Sequence, residues 1–476
     1  MNLFYVRISS FLPRISLLLF SVIIVVMSSS GSMPVFGQQL TEPNLRLEVV
    51  ARGLNHTTAM AFLGNSSNDI LVTEKDTGKV MRIIDGRIQQ EPLIDVAVAN
   101  GNNTPGRGLL GMAVIDALDN QTAATSGNST EVPATTTYVF LGFIESGGGE
   151  DGDDERGVLP AGNRLYRYEL QKEEGGDAKL VNPKLLLDLP ARPGPRHNLG
   201  PILATYEDIN NSKTIVIYLM VGNIDDRGKQ TLNREDGSPP DGTSGILRVD
   251  SEGNPFPDAV LVDEEEDDDS MLQYYYAYGI RNSFGMDFDP VTGNLWDTEN
   301  GPTYGDEINL VEPGFNSGYA DVMGLMSQIE ENEEDVNVDD IVLVDFDGRG
   351  NYSDPEFVWQ ENVSPTAIKF LDSTKLGEQY ENDLFVGAFA GSFLYHFDLN
   401  EDRTALALSG ELADKVADSP DELDDSGVIF GTGLRVTDLE VGPDGYLYVL
   451  TYTGTIYRVV PAEGEAPEEG VVPEEE

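Results

Sequence analysis

The stretch GYLYVLTYTGTIYRVV (residues 445–460) places a Tyr-Thr-Gly turn between two short runs that are rich in aromatic and β-branched residues. Alternation with period two, interrupted by a turn, predicts an antiparallel β-hairpin. Six such hairpins along the chain predict an all-β fold, a six-bladed β-propeller of four-stranded antiparallel blades. The other five lie at residues 69–84, 137–145 with 163–170, 214–223 with 244–253, 293–301 with 306–314, and 383–399.

Apolar runs between the hairpins, such as residues 56–63 and 435–442, supply the remaining strands of the predicted blades. Helical periodicity is almost absent from the chain. A β-sandwich combined with a barrel is the alternative architecture for this pattern. A propeller has a central channel, and we expect a ligand among the loops at one mouth of that channel.

The two ends of the chain differ in composition from the hairpin region. Two arginines in residues 1–14 precede the apolar run ISLLLFSVIIVVM (residues 15–27), and small residues follow it. This order is typical of a secretory signal, and the run is shorter than the ~20 residues of a membrane-spanning helix. We predict a signal peptide over residues 1–38, the propeller domain over 44–462, and an acidic disordered tail over 463–476. The protein is expected to be secreted or extracytoplasmic and associated with the cell surface, with a retained N-terminal anchor as the alternative to cleavage.

Acidic side chains dominate the charge: 83 Asp and Glu stand against 30 Lys and Arg, which gives a formal net charge of −53. Such a charge repels phosphates, which excludes nucleic acid as a partner, and it argues against docking on anionic lipid. The chain has no cysteine, which excludes disulfides, Cys-bound zinc, iron–sulfur clusters and thiol catalysis. The acidic blocks at residues 263–269 and 330–334 are interpreted as solvated insertions, with divalent-cation binding as the other reading of the acidic excess.

Residues 276–319 carry a long and specific motif, YAYGIRNSFGMDFDPVTGNLWDTENGPTYGDEINLVEPGFNSGY. Its YGxRNxxG stretch, followed by E-x-G-P and D-E-x-N-L, resembles the soluble quinoprotein glucose/sorbosone dehydrogenases, of the aldose sugar dehydrogenase type. Further matching stretches follow in family order, so that the resemblance covers about residues 48–460. It implies a calcium-dependent oxidoreductase that oxidises the anomeric hydroxyl of aldose sugars by hydride transfer to pyrroloquinoline quinone (PQQ).

The chemistry of sugar oxidation is compatible with this resemblance. Protein side chains cannot accept a hydride, so a redox cofactor is required. No G-x-G-x-x-G lies between a strand and a helix, which argues against a nicotinamide or flavin site of that type. The reaction also needs a base, and His197, in the loop ARPGPRHNLGP (residues 191–201), is the candidate. The resemblance implies the same role for His197, whereas His56 and His396 are interpreted as structural.

The resemblance also implies which residues bind the cofactor. Arg281 is expected to stabilise negative charge that develops on the quinone oxygen, and Asn282 to hydrogen-bond a quinone carbonyl. Arg435 matches an arginine that grips the quinone carboxylates. Asn362 is a further residue expected to face the cofactor.

A calcium site is implied by the GPTYGDE segment. Calcium takes hard oxygen ligands, including backbone carbonyls. The resemblance implies that the carbonyls of Gly301 and Pro302 hold the calcium that bridges to the quinone, and that Asp306 and Glu307 help to hold further structural calcium.

Three positions depart from the family pattern. Thr437 replaces a second arginine that grips the quinone, Ala390 replaces a lysine, and Gly106 replaces a glutamine that touches sugar. Losing two charge-assisted contacts, at roughly 1.5–3 kcal/mol each, would weaken quinone binding by several orders of magnitude, unless Arg196 or Arg107 substitutes for them. Two other functions therefore stay open: a weak or inactive propeller that binds carbohydrate or a protein partner, and a calcium-dependent hydrolase of the lactonase type. The expected small-molecule partner is a sugar, and the sequence does not identify the electron acceptor.

Overall fold

The computed structural model describes residues 37–100, 106–117, 136–172, 176–194, 196–225, 233, 239–262, 270–329 and 338–462. All but the last two residues of the predicted signal peptide lie outside the described residues, as do the acidic blocks 263–269 and 330–334 and the tail 463–476. Within the described ranges, no helix is long and apolar enough to cross a membrane.

Strands account for most of the regular structure and are numbered here along the chain. Up to residue 278 they are β1 (Gln39–Leu40), β2 (Leu45–Arg52), β3 (Thr57–Phe62), β4 (Asp69–Glu74), β5 (Lys79–Ile84), β6 (Arg87–Ile88), β7 (Ile94–Asp95), β8 (Leu109–Asp116), β9 (Thr137–Glu145), β10 (Gly162–Lys172), β11 (Ala178–Leu189), β12 (Leu199–Ile209), β13 (Ser212–Val221), β14 (Gly245–Asp250) and β15 (Tyr275–Tyr278). The later strands are β16 (Ser283–Phe288), β17 (Leu295–Glu299), β18 (Asp306–Val311), β19 (Phe315–Asn316), β20 (Asn351–Tyr352), β21 (Phe357–Trp359), β22 (Pro365–Phe370), β23 (Leu384–Ala388), β24 (Phe393–Phe397), β25 (Val416–Ala417), β26 (Ile429–Thr432), β27 (Val436–Val441), β28 (Leu447–Thr451) and β29 (Thr455–Pro461).

Helices are short in the described part of the chain. The α-helix α1 (Pro420–Ser426) has Pro420 and two acidic residues in its first turn and ends at Gly427, whose φ is +78°. Proline and acidic side chains suit a helix start, and a left-handed glycine suits its end. The 3₁₀ helices are Asp153–Arg156, Met271–Tyr274, Met326–Gln328, Val338–Asp340, Glu378–Tyr380 and Gly410–Asp414.

The strands form six sheets, and each predicted hairpin lies in a different one. In order along the chain, the sheets are β3-β4-β5-β6 with β7 on β5, β11-β10-β9-β8, β12-β13-β14-β15-β19-β20, β16-β17-β18-β21-β25, β1-β26-β24-β23-β22 and β2-β29-β28-β27. The predicted strands at residues 56–63 and 435–442 correspond to β3 and β27.

The innermost strands form a closed ring. Each of β3, β8, β12, β16, β22 and β27 is an edge strand of its sheet and contacts the next in this order, and β27 contacts β3. The N-terminal strand β2 pairs antiparallel with β29, so the two ends of the propeller share one sheet. Apolar side chains fill the space between sheets, as where Trp296 and Ile308 pack in one cluster with Phe370 and Leu384.

The all-β class and the propeller arrangement are confirmed. The description of every blade as four antiparallel strands is wrong, because the sheets contain four to six strands. The strands beyond the fourth in a sheet are two residues long, and β15–β19, β19–β20 and β21–β25 pair in parallel. The first described strand, β1, begins at Gln39, five residues before the predicted domain start at residue 44.

Candidate active site

A cavity of about 450 Å³ lies inside the ring of innermost strands. All six of those strands contribute to its wall, together with loops that precede them or that connect the second and third strands of their sheets. Because the innermost strands begin where these loops lie, the loops form one mouth of the channel. Six of the predicted residues meet there: the cavity is lined by His197, Arg281, Asn282, Gly301, Pro302 and Asn362.

His197 lies two residues before β12 and has a left-handed backbone, with φ +56°. Gly222 makes room for it, since a Cβ at this glycine would come within 2.6 Å of the His197 carbonyl oxygen. The Nδ1 atom of His197 is 2.8 Å from Asn223 Oδ1. An amide oxygen only accepts, so Nδ1 carries the proton and Nε2 has a free lone pair.

The electrostatic surroundings keep His197 neutral. Burial, and then the positive charge of Arg281, lowers the pKa of His197 to about 4. The imidazole is therefore unprotonated at neutral pH and can accept a proton at Nε2.

Arg281 is held beside His197 by the turn between β15 and β16. Its backbone N–H donates to Glu299 Oε1 at 2.5 Å, and its guanidinium donates to the Asn300 carbonyl at 2.7 Å. The neighbouring Asn282 donates from Nδ2 to Asn300 Oδ1 at 3.2 Å. The structure thus places the guanidinium of Arg281 beside two amide side chains at the mouth, which suits an anionic or carbonyl-bearing ligand.

Gly301, in the loop between β17 and β18, and Asn362, in the loop before β22, bring oxygen atoms together. Asn362 Nδ2 donates to the Gly301 carbonyl at 3.1 Å, and Asn362 Oδ1 is buried without a hydrogen-bond partner among the described residues. A buried polar atom without a partner is costly unless a ligand satisfies it. An orphaned amide oxygen beside a backbone carbonyl is the type of donor set that calcium prefers.

Asp306, predicted to help hold a metal, supports these loops from behind and does not line the cavity. Its carboxylate accepts the backbone N–H groups of Gly301, Val363 and Ser364 at 2.8, 2.7 and 2.6 Å. Burial raises its pKa to about 6. Asp306 therefore fixes the spacing between the Gly301 and Asn362 loops.

Glu307, the other acidic metal candidate, belongs to a buried group of carboxylates on β17 and β18. Glu299 and Glu307 are directly paired across these strands, and Asp297 lies two residues before Glu299. Among the described residues, none of the three forms an ion pair with a Lys or Arg, and Asn309 and Ser317 donate to Glu307 and Glu299. Burial raises the pKa of Asp297 to about 7, that of Glu299 to about 8, and that of Glu307 well above its usual range.

Arg435, predicted to bind the cofactor, is exposed and lies outside the cavity wall. Its guanidinium stacks over Phe389 at 4.9 Å, and Phe389 and Thr437 do line the cavity. Arg107, considered as a substitute cation, is buried and donates to Asp154, to the Ala99 carbonyl and to the Arg192 carbonyl. It is a structural residue, and burial lowers its pKa to about 10.

Two lysines that were not predicted as site residues, Lys75 and Lys369, also line the cavity. Lys75, in the turn after β4, contacts Asp76, and burial lowers the pKa of its ammonium. Lys369, on β22, lies 3.0 Å from Glu440 and 3.3 Å from Asp287. Lys75 could have been predicted, because it lies in a hairpin turn and the hairpin turns converge at the mouth. No feature of the sequence around Lys369 indicates that it lines the cavity.

The two histidines interpreted as structural make ordered contacts away from His197. His56 Nδ1 lies 2.5 Å from Asp76 Oδ2, and its ring stacks on Tyr452 at 4.6 Å. His396 Nε2 lies 3.0 Å from Asp383 Oδ2 and packs against Phe385. His56 therefore supports the rim through Tyr452, which lines the cavity.

Comparisons with known proteins agree with this architecture. The family model described as glucose/sorbosone dehydrogenase matches residues 54–458. The aldose sugar dehydrogenase YliI of Escherichia coli K12 is 30% identical over 190 residues, which is 39% of this chain and only 43% of that protein's length.

Solved structures share the fold. The soluble aldose sugar dehydrogenase from E. coli in its apo form is 20% identical, with a TM-score of 0.57 over 88% of this chain and 100% of that one. The PQQ-bound form of an aldose sugar dehydrogenase from Streptomyces coelicolor is 18% identical, with a TM-score of 0.52 over 87% and 98% of the two chains. At these identities the two structures establish the likeness of fold alone.

Proposed function

Because the chain belongs to the glucose/sorbosone dehydrogenase family, we propose that it is an oxidoreductase that oxidises the anomeric hydroxyl of aldose sugars with PQQ and calcium. One observation carries the proposal: a neutral imidazole, a guanidinium and an unsatisfied amide oxygen converge on a single cavity at one mouth of the propeller. A base, a positive charge and a set of oxygen donors are what this oxidation requires of the protein.

His197 is the base in the proposed reaction. The anomeric O–H gives its proton to Nε2 of His197, while Asn223 holds the opposite nitrogen protonated. PQQ, when bound, supplies the acceptor for the hydride that leaves C1. The sugar loses one proton and one hydride and becomes a lactone, and an external electron acceptor later removes the two electrons.

Arg281, Asn282 and Asn362 are the residues proposed to hold the cofactor. The guanidinium of Arg281 faces the cavity and stabilises negative charge there, while the amide side chains offer hydrogen bonds. Arg435 stays a prediction, because its guanidinium is engaged with Phe389 at the rim.

Calcium is proposed at the Gly301–Pro302 turn. The donors would be the carbonyls of Gly301 and Pro302 and the unpaired Oδ1 of Asn362. A further calcium is proposed beside Glu307, because three buried carboxylates without an ion-paired cation are unfavourable as anions.

Three features of the whole chain are part of this proposal. We take each of the six sheets as one blade, which the closed ring of innermost strands supports. We place the protein outside the cytoplasm, which the apolar run at residues 15–27 supports. We treat residues 44–462 as one catalytic domain, which the family match over residues 54–458 supports.

Turnover by reconstituted protein tests the function. The protein, loaded with PQQ and calcium, should reduce a redox dye when aldoses are added, and His197→Gln should lower the rate by about 10²–10⁴-fold while PQQ still binds. An exposed control such as Lys375→Gln should not change the rate. Full activity of His197→Gln would remove His197 as the base.

The same assay separates the alternatives. Hydrolysis of lactones without PQQ would favour the hydrolase. Saturable sugar binding without any turnover would favour a propeller that only binds sugar. The absence of Arg435 and Arg107 from the cavity wall is consistent with this alternative.

A further inference from the structure

Arg196 lies immediately before His197 and lines the same cavity. The side chain of Arg196 is 57% exposed, and its Nε atom is 3.8 Å from Asp225 Oδ1. That separation is near the limit of an ion pair and too long for a hydrogen bond. The Asp225 carboxylate instead accepts the backbone N–H of Arg196 at 2.7 Å. The acid therefore anchors the main chain and leaves the guanidinium at the mouth.

The other cationic groups of the cavity are more firmly engaged. Arg281 donates to the Asn300 carbonyl, Lys75 contacts Asp76, and Lys369 bridges two carboxylates. Among the described residues, the guanidinium of Arg196 makes no hydrogen bond, so it is the cavity cation with the most capacity left to bind a ligand.

The chain as a whole is strongly anionic, with a formal net charge of −53. The overall field repels anions, so an anionic ligand needs a local cation in order to be held at the mouth. The planar guanidinium donates in a fork that matches carboxylate and phosphate groups.

We propose that Arg196 selects aldoses that carry a negatively charged substituent, such as hexuronic acids or sugar phosphates. This inference rests on the proposed function, because it assigns a substrate class to the same site. The reaction is unchanged: C1 loses a hydride to the cofactor, its hydroxyl loses a proton to His197, and the carboxylate or phosphate is bound but not altered. Arg196 acts as a specificity residue, since it contacts the part of the substrate that does not react.

Equilibrium binding to the cofactor-free protein is the first test. Calorimetry compares glucose, glucuronate and glucose 6-phosphate, which differ only at C6, and the pair galactose and galacturonate. Wild-type protein should bind the anionic sugars about tenfold more tightly than the neutral ones, and the ratio should shrink as salt rises. Arg196→Gln should bring the ratio close to one, and Arg196→Lys should keep a part of it.

Arg192→Gln is the matched control. Arg192 lies in the same loop, carries the same charge and is exposed, but it does not line the cavity. The ratio of the affinities for anionic and neutral sugars should be the same in this variant as in the wild type. Equal affinity of the wild type for neutral and anionic sugars, or equal loss of the ratio in the Arg192 and Arg196 variants, would overturn the inference. The anionic sugar that wild-type protein binds more tightly, glucuronate or glucose 6-phosphate, identifies whether the preferred substituent is a carboxylate or a phosphate.

Turnover with PQQ is the second arm and separates this inference from the proposed function. Arg196→Gln should lower the ratio of kcat/KM for glucuronate to kcat/KM for glucose, and it should do so by raising the KM for glucuronate. This result would support both the dehydrogenase function and the role of Arg196. Arg196-dependent binding without any PQQ-dependent turnover would reject the dehydrogenase and retain an anionic sugar site. Turnover of all sugars with equal kcat/KM would retain the dehydrogenase and reject the role of Arg196.

Discussion

The imidazole of His197 is neutral because it is buried beside a cation and receives no strong help from a carboxylate. Its Nδ1 atom is 2.8 Å from the Asn223 amide but 3.4 Å from Asp225. A pKa of about 4 means that the base is active above this pH and is lost as the pH falls through it. The expected kcat/KM profile is therefore flat around neutrality and declines only at acidic pH.

Asn223→Asp should move that acidic limb upward. A carboxylate at hydrogen-bonding distance from Nδ1 stabilises the imidazolium, so the pKa of His197 should rise by ~1–2 units. The variant should then lose activity between pH ~4 and ~6, where the wild type is still active. The measurement is kcat/KM against pH. Asn211→Asp, which adds the same charge at an exposed turn, should leave the profile in place, and an unshifted limb in Asn223→Asp would refute this account of His197.

Residues that precede innermost strands were predictable from the sequence, whereas their partners far away along the chain were not. His197 and Arg281 each lie two residues before such a strand, so their loops had to meet at the mouth. Asn223, which sets the tautomer of His197, lies 26 residues later and shows no local signal. The role of Asp306 in holding calcium, which the resemblance implies, stays a prediction, and three backbone N–H groups donate to its carboxylate.

At the scale of elements, the second and third strands of every sheet were predictable and the outermost were not. Strands such as β13 and β28 have enough residues to show alternation and a turn. β19, β20 and β25 have two residues each, and no periodicity exists at that length. Their pairing depends on tertiary packing, which is also why the uniform four-stranded blade was wrong.

Three neighbouring innermost strands are connected to one another by ion pairs. Lys369 on β22 contacts Asp287 on β16 and Glu440 on β27, and Asp287 also accepts the backbone N–H of Phe370 at 2.9 Å. Although burial disfavours the ammonium, the two carboxylates outweigh this effect and raise the pKa of Lys369. The lysine therefore neutralises one acid from each of the two neighbouring sheets.

Lys369→Met should destabilise the propeller by ~3 kcal/mol, because it leaves two largely buried carboxylates without their cation. Urea unfolding measures this loss. Lys369→Met with Glu440→Gln should recover a part of it, since one negative charge is then removed. Lys375→Met, at an exposed turn after the same strand, should change stability by less than ~0.5 kcal/mol. Equal stability of Lys369→Met and wild type would show that the lysine has no such role.

For the whole molecule, ring closure places N-terminal and C-terminal strands in shared sheets. β2 pairs with β29 of its own sheet, and β1 pairs with β26 of the sheet before it. Local pattern identifies β2 as a strand but cannot show that its partner lies at the other end of the chain. The closed ring fixes the distances between loops of different sheets, and so it determines that His197, Arg281 and Asn362 face one space.

Calorimetric titration of PQQ into the protein, with calcium, with magnesium and with neither, tests the central claim that one cofactor and one cation share this cavity. The account predicts one PQQ per chain, with an affinity at least about tenfold higher in calcium than in magnesium or without a divalent ion, because the flexible carbonyl and amide donors suit the larger cation. Asn362→Leu should remove the calcium effect, and His197→Gln should preserve it. PQQ binding that does not depend on calcium, or an absence of PQQ binding, would contradict the account.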